Sequence, residues 1–276
     1  MLDFKIDEAK CTQCSLCAKE CPSLIIDGKN GIPVIKEGKE KNCIKCQHCL
    51  AVCPTGALSI FGKNPEDSIE VTSEIPSAEE MERLIKTRRS VRKFKKVELE
   101  EATIQKLIES AAFAPTGHNK NQVLLSATYT RAEMDKVREA VYNAIKKAKE
   151  EGKVEGSLAM YGAFQQVWES KGIDVIFRDA PHLIIATAPA TNSNSVADCV
   201  ISLSYFELLA NSMGIGTLWN GFLKAVMEHV ASELKGLFNI PEDHTIGYMM
   251  VYGLPAVKFA RSVQSEGLHL NRIQLR

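Results

Sequence analysis

The chain has 276 residues, a formal net charge of zero at pH 7 and 45% hydrophobic residues. This length allows roughly two domains of about 150 residues, each with an apolar core. A neutral chain lacks the general basic field that attracts nucleic acid, and no stretch approaches the roughly 18 apolar residues of a membrane span. We therefore expect neither nucleic acid nor a membrane as a partner.

The chain opens with MLDFKIDEAK, which contains acidic residues and no apolar run. Secretory signal peptides need an apolar segment, so we expect a cytoplasmic protein with reduced thiols. Eight of the nine cysteines then fall in two copies of one pattern, CTQCSLCAKECP at 11–22 and CIKCQHCLAVCP at 43–54. A chain of this length does not need disulfides to fold, so we interpret the repeat as a metal site.

The spacing of the repeat is CxxCxxCxxxCP. Two CxxC pairs also suit a tetrahedral zinc site, which remains an alternative. However, each run offers four cysteines followed by proline, which is the spacing of bacterial iron–sulfur proteins. The predicted metal ligands are Cys11, Cys14, Cys17, Cys21, Cys43, Cys46, Cys49 and Cys53.

Residues 1–62 resemble the two-cluster 4Fe–4S ferredoxins through these two runs. The resemblance implies that each cluster takes three cysteines from one run and the fourth from the other. One set is then Cys11, Cys14, Cys17 and Cys53, and the other is Cys43, Cys46, Cys49 and Cys21. The segment offers only short strand-like pieces at 24–26, 32–35 and 58–60, so we expect the clusters to supply much of its folding free energy.

Residues 63–80 are polar, contain two prolines and predict a linker. After the linker, apolar spacing predicts helices at 99–113, 131–151 and 194–214, and buried strands at 123–130, 182–188 and 246–253. Strands and helices without a regular βαβ repeat, and without GxGxxG after a first strand, favour an α+β domain over a Rossmann nucleotide-binding unit.

The stretch TRRSVRKFKK at 87–96 has six basic residues among the nine from Arg88 to Lys96. A nucleic-acid patch or a solvated charge run is the alternative interpretation. The neutral net charge opposes a nucleic-acid patch. Arginines on both sides of Ser90 are able to converge on one phosphate, with forked donors and a hydroxyl.

Five stretches in order resemble the nitroreductase family of FMN-dependent flavoproteins. The domain at 81–276 carries them as RRSVRKF, APTGHNKNQ, DAP, MGIGTLWNGF and GLPAVKFARS. The resemblance implies a homodimer with an α+β fold, FMN at the subunit interface and active sites built from both chains. The whole chain is then predicted as a small ferredoxin-like domain followed by a nitroreductase-type α+β FMN domain.

The resemblance also implies which residues bind FMN. The motif that binds the phosphate corresponds to Arg88, Arg89, Ser90 and Arg92, and the C-terminal motif adds positive charge at Lys258 and Arg261. The isoalloxazine ring is expected beside Pro115, Thr116 and Asn119, and beside Trp219, Asn220 and Gly221. The family often has NxQPW where this chain has NKNQV, which leaves substrate stacking unassigned. No catalytic residue is assigned.

The two domains together predict a function. Clusters pass single electrons, whereas a flavin holds one or two and delivers a hydride. We expect an FMN-dependent oxidoreductase that receives electrons from a low-potential donor protein and reduces a small electron-poor acceptor, such as a nitroaromatic or a quinone. An electron-transfer module that relays to a protein partner, and an iron–sulfur nucleic-acid-binding protein, remain alternatives.

Overall fold

The computed structural model describes residues 2–29, 31–71 and 75–274. The chain divides into two compact units. The first comprises residues 1–75 together with 118–120, and the second comprises 76–117 and 121–276. Within the described residues, no helix is both long and apolar enough to cross a bilayer.

Short elements build the first unit. Strand β1 pairs antiparallel with β4, and β2 pairs antiparallel with β3. Isoleucine and leucine side chains from these elements, such as Ile25 and Leu58, bury a small core together with cysteines of both runs. The predicted strand at 58–60 is confirmed with the same bounds, the one at 32–35 is shorter, and the one at 24–26 overlaps β2 only at Ile26. The elements are β1 (Phe4–Ile6), α1 (Leu16–Glu20), β2 (Ile26–Asp27), β3 (Val34–Ile35), α2 (His48–Ala51) and β4 (Leu58–Ile60).

The stretch 63–80, which the sequence predicts as a linker, contains local structure. A 3₁₀ turn spans Pro65–Asp67, and Lys10 Nζ lies 2.8 Å from Glu66 Oε1 in the first unit. Helix α3 (Ala78–Thr87) starts inside the same stretch, behind a capping box of Ser77 and Glu80. Thr72, Ser73 and Glu74 of the predicted linker lie outside the described residues.

A four-stranded antiparallel sheet forms the centre of the second unit as described, in the order β5-β6-β8-β7. Helices cover both of its faces, so this part has the α+β fold that the sequence predicts. Its strands are β5 (Leu124–Ala127), β6 (His182–Pro189), β7 (Gly216–Trp219) and β8 (His244–Gly253). Its helices after α3 are α4 (Glu101–Ala111), α5 (Arg131–Glu150), α6 (Ala159–Lys171), α7 (Ser195–Ser212), α8 (Gly221–Ala225) and α9 (Leu234–Leu237), with a π-helical turn at Val226–Val230.

Strand β6 is buried on both faces because successive side chains alternate between two cores. Leu183 and Ile185 pack with the α5 side of the sheet, whereas Ile184 and Ala186 pack with α4 and α7. Burial on both faces explains why HLIIATA shows no alternation of apolar and polar residues. The predicted helices corresponding to α4, α5 and α7 and the strands corresponding to β5, β6 and β8 are confirmed. The sequence did not predict strand β7 or the helices α3, α6, α8 and α9 of the second unit.

Candidate functional site

The eight cysteines of the repeat line two cavities in the first unit. One cavity is lined by Cys11, Cys14, Cys17 and Cys53, and the other by Cys21, Cys43, Cys46 and Cys49. Each cavity therefore receives three thiols from one run and one from the other. The structure brings together the same two sets of four that the ferredoxin resemblance implies.

The backbone repeats as well as the sequence. Gln13 and Ser15, which flank Cys14, have φ values of 57° and 60°, and Lys45 and Gln47 around Cys46 have 58° and 59°. Non-glycine residues adopt this left-handed conformation only where surrounding structure or a ligand holds it. The first three cysteines of each run, which surround these residues, line one cavity.

Burial raises the pKa of Cys49 to about 11 and also raises the pKa of Cys17, whereas a hydrogen bond from the Leu16 amide lowers the pKa of Cys14. At Cys17 and Cys49, burial therefore disfavours the free thiolate. A metal centre that replaces these protons removes that cost. Four thiols around each cavity, at the CxxCxxCxxxCP spacing of iron–sulfur proteins, suit a multi-iron cluster.

In the second unit, the basic stretch lies beside strand β7. Ser90 forms a parallel bridge with Thr217, and the Val91 amide donates to the Thr217 carbonyl at 2.9 Å. A Cβ at Gly216 would lie 2.5 Å from Val91 Cγ2, so this close approach requires glycine. Two stretches separated by more than 120 residues thus form one edge of the site.

A buried carboxylate holds this edge together. Glu207 on α7 is 7% exposed and accepts hydrogen bonds from Thr217 Oγ1 at 2.8 Å and from Trp219 Nε1 at 3.1 Å. Its Oε1 also lies 3.4 Å from Nη1 of Arg88. Arg89 takes a different position, since Nη2 donates to the Lys86 carbonyl at 2.7 Å near the end of α3.

A cavity of about 520 Å³ opens next to this edge. Arg92 and Trp219 line it with Gly221 and Tyr248. The Asn220 side chain accepts from the Leu223 amide at 3.0 Å and donates to the Ile176 carbonyl at 3.1 Å, so it caps α8 rather than remaining free for a ligand. Arginine side chains, aromatic rings and an exposed glycine backbone suit a planar, anionic ligand.

The loop after α4 does not line the cavity beside Trp219. Thr116 lines a separate cavity of about 300 Å³, and its hydroxyl accepts from the Asn121 amide at 3.0 Å. Pro115 is exposed. Asn119 belongs to the first unit, where Nδ2 donates to the Ile44 carbonyl at 2.9 Å. The structure of one chain therefore does not gather Pro115, Thr116 and Trp219 around one cavity.

The C-terminal motif starts beside the basic stretch and then leaves it. Phe94 bridges Pro255, and the Ala256 amide donates to the Lys93 carbonyl at 2.9 Å. Lys258 and Arg261 follow in an exposed, irregular segment. Their side chains are thus accessible, in the segment that continues directly from this pairing.

Residues outside the predicted set also shape the site. Arg178 lines the cavity of Arg92 and Trp219, and Asp174 anchors the loop that carries it. Glu207 is the third such residue. In the sequence, Glu207 is a single acidic residue within the apolar run YFELLA. A carboxylate buried in such a run needs hydrogen-bond or ionic partners, which could have indicated its role.

Comparison with known proteins places both units. Residues 85–254 match the model of the nitroreductase family, and residues 10–58 match that of a 4Fe–4S dicluster domain. A protein of Methanothermobacter thermautotrophicus, provisionally named an NADH dehydrogenase/NAD(P)H nitroreductase, is 27% identical over 62% of this chain and 75% of its own length. An uncharacterised protein of Methanocaldococcus jannaschii is 39% identical over 63 residues, and this match spans only 22% of this chain and 23% of that protein.

Among solved structures, a nitroreductase with bound FMN from Bacteroides fragilis superposes with a TM-score of 0.56 at 18% identity. It covers 70% of this chain and 99% of its own. At this identity the likeness establishes the fold. The family model spans more than half of the chain. The chain therefore belongs to the nitroreductase family and carries a 4Fe–4S dicluster domain at residues 10–58.

Proposed function

We propose that this protein is an FMN-dependent oxidoreductase that receives electrons through two 4Fe–4S clusters and reduces a small, electron-poor acceptor, such as a nitroaromatic or a quinone. One observation carries the proposal. A chain of the nitroreductase family also holds eight cysteines that are grouped four and four around two cavities. Such a pair of centres has an evident use beside a flavin, since iron–sulfur centres transfer single electrons.

The thiol cavities supply the ligands for the clusters. In this proposal Cys53 completes the set of Cys11, Cys14 and Cys17, and Cys21 completes the set of Cys43, Cys46 and Cys49. Cys53 Sγ also accepts a hydrogen bond from the Ala57 amide at 3.3 Å. Hydrogen bonds of this kind stabilise a thiolate ligand and tune the potential of its centre.

The 520 Å³ cavity is the proposed FMN site. Arg88, Ser90 and Arg92 bind the phosphate, and the backbone at Trp219–Gly221 approaches the ring. FMN, when bound, accepts electrons singly or in pairs and delivers a hydride to the acceptor. The cation at Arg88 is balanced by Glu207, which keeps that guanidinium in place before the phosphate arrives.

A second copy of the chain completes the site in this proposal. Thr116 and Trp219 line different cavities within one chain. Members of the nitroreductase family bind FMN between two subunits, so the loop at 115–116 of one copy would contact the flavin of the other. The free cysteines and the oxygen-sensitive clusters fit a reducing, cytoplasmic setting.

Stopped-flow reduction under anaerobic conditions tests the route of electrons. A low-potential ferredoxin should reduce the flavin quickly in the full chain and poorly in a truncated variant that begins at Ile75. This variant keeps the capping box of Ser77 and Glu80 at the start of α3. Dithionite should reduce the flavin in both proteins, and equal FMN content and dimer mass serve as controls.

Equal rates of ferredoxin reduction in the two proteins would refute the route, because the clusters would then be structural or regulatory. A full chain that takes electrons rapidly yet reduces no small acceptor would favour a relay to a protein partner. NADH and NADPH form a separate arm of the experiment. Any reduction by them should be independent of residues 1–74.

A further inference from the structure

The cavity beside Trp219 is lined by a positively charged side chain, Arg178, that lies outside the five nitroreductase-like stretches. Its lining, as far as the structure is described, has two charged side chains, Arg92 and Arg178, and no carboxylate. Arg178 precedes the DAP stretch and belongs to a different loop from Arg92. The cavity therefore carries positive charge on two separate chain segments.

The two arginines differ in their contacts. Arg92 Nη1 donates to the Ser90 carbonyl at 3.3 Å. Arg178 is half-buried as a residue, and its guanidinium has no hydrogen bond or ion pair with any residue in the described ranges. A partly desolvated guanidinium with unused donors is a strong site for a carboxylate or another oxyanion.

The loop that carries Arg178 is held rigidly. The Asp174 side chain is fully buried and accepts from Arg138 Nε at 2.8 Å and from Tyr142 Oη at 3.0 Å. The same carboxylate accepts from the amides of Phe177 at 2.8 Å and Asp179 at 3.1 Å, so it pins the backbone on both sides of Arg178.

This anchoring sustains an unfavourable backbone. Arg178 and Asp179 have φ values of 58° and 56°, two consecutive non-glycine residues in the left-handed region. Such strain persists where surrounding contacts fix it, and it occurs preferentially at ligand sites. The network thus holds Arg178 at the cavity wall instead of letting the loop relax.

We infer that Arg178 binds the anionic group of the acceptor, and that the preferred acceptors are electron-poor aromatic compounds carrying a carboxylate. This inference rests on the proposed function. FMN has one phosphate, for which Arg88, Ser90 and Arg92 suffice in the proposed arrangement. Arg178 lies on the other loop of the same cavity, so its free donors face whatever enters beside the flavin.

Two matched acceptors and three variants test the inference in the FMN-loaded full chain. The acceptors are 4-nitrobenzoate and 4-nitrobenzamide, which differ chiefly in charge. Arg178→Gln should raise KM for the carboxylate by about 10- to 100-fold, the range expected for loss of a charged hydrogen bond, and change KM for the amide less than about twofold. Arg178→Lys should recover part of the loss, and Lys93→Gln should behave as wild type.

Calorimetry gives a readout that does not need turnover. Binding of 4-aminobenzoate to the oxidised holoprotein should weaken in Arg178→Gln and persist in Lys93→Gln, with unchanged FMN affinity. An equal loss for both acceptors, or a matching fall in FMN affinity, would overturn the inference, since Arg178 would then support the fold or bind the flavin. If wild type reduces neither these two acceptors nor a quinone, the proposed function fails, and the calorimetry alone decides this inference.

Discussion

Glu207 accepts a hydrogen bond from the indole Nε1 of Trp219 at 3.1 Å, and its other oxygen accepts from Thr217 at 2.8 Å. One buried carboxylate therefore fixes both the strand and the aromatic ring at the candidate flavin site. Glu207→Ala leaves two donors and Arg88 without their acceptor, whereas Glu207→Gln retains an acceptor oxygen of similar shape.

We expect Glu207→Ala to lower the free energy of unfolding by about 2–4 kcal/mol and Glu207→Gln by no more than about 1–2 kcal/mol, because unsatisfied buried donors are costly. Urea unfolding followed by tryptophan fluorescence measures both. Equal destabilisation in the two variants would show that the charge, rather than the hydrogen bonds, is what matters.

The shared cysteine sets predict a crossed effect of mutation. Cys53→Ala should damage the cluster proposed for Cys11, Cys14 and Cys17, although Cys53 belongs to the second run. Iron analysis and electron paramagnetic resonance identify the lost centre, with Cys199→Ala as the control outside both cavities. Cys199 is fully buried on α7 in the second unit. Selective loss of the Cys43–Cys49 cluster would contradict the assignment.

The proposed phosphate site predicts unequal effects of basic residues. Arg88→Ala or Arg92→Ala should weaken FMN binding by roughly 10- to 150-fold, since charged hydrogen bonds contribute about 1.5–3 kcal/mol each. Lys93→Ala should have a small effect, because this exposed side chain lies outside the set matched to the phosphate motif. Fluorescence titration of the apoprotein compares the three. Identical FMN affinities for the three variants would show that this stretch does not bind the phosphate.

His182 predicts a pH dependence of stability. It is fully buried, its Nε2 accepts from the Leu99 amide at 2.8 Å, and burial lowers its pKa below the ordinary 6.5. The unfolded chain binds the proton first as pH falls. The stabilising contribution is therefore complete above pH 6.5 and is lost as pH falls from there through the lowered folded pKa.

In urea unfolding at a series of pH values from about 7.5 to 5.5, wild type should lose up to about 1.4 kcal/mol more per pH unit than His182→Gln. Glutamine keeps an acceptor for Leu99 but does not titrate. Equal slopes in the two proteins, at equal cofactor content, would assign the pH dependence to other groups.

The amino-acid sequence alone was enough to predict the eight cysteines as one set of candidate cluster ligands and to predict the class of each unit. The twelve-residue repeat is local, and metal ligation depends on residue type and short spacing. The repeat can therefore be recognised as a candidate metal site from the sequence. Helices such as α5 were also predictable, because one apolar face at helical spacing reports burial directly. The capping box of Ser77 and Glu80 was an available signal for α3, inside the predicted linker.

Contacts between distant residues depend on how the helices and strands pack, and they were not predictable from the sequence. Apolar period shows that a strand is buried but not which strand pairs with it, so the order β5-β6-β8-β7 and the contact of Ser90 with Thr217 had no local signature. Helix α7 is apolar on nearly every side, and its period could not show that Glu207 faces Trp219. Asp174 holds the loop of Arg178 at the cavity wall, and Asp174 is itself fixed by hydrogen bonds from the distant Arg138 and Tyr142. Such contacts depend on packing between elements, which sequence spacing does not encode.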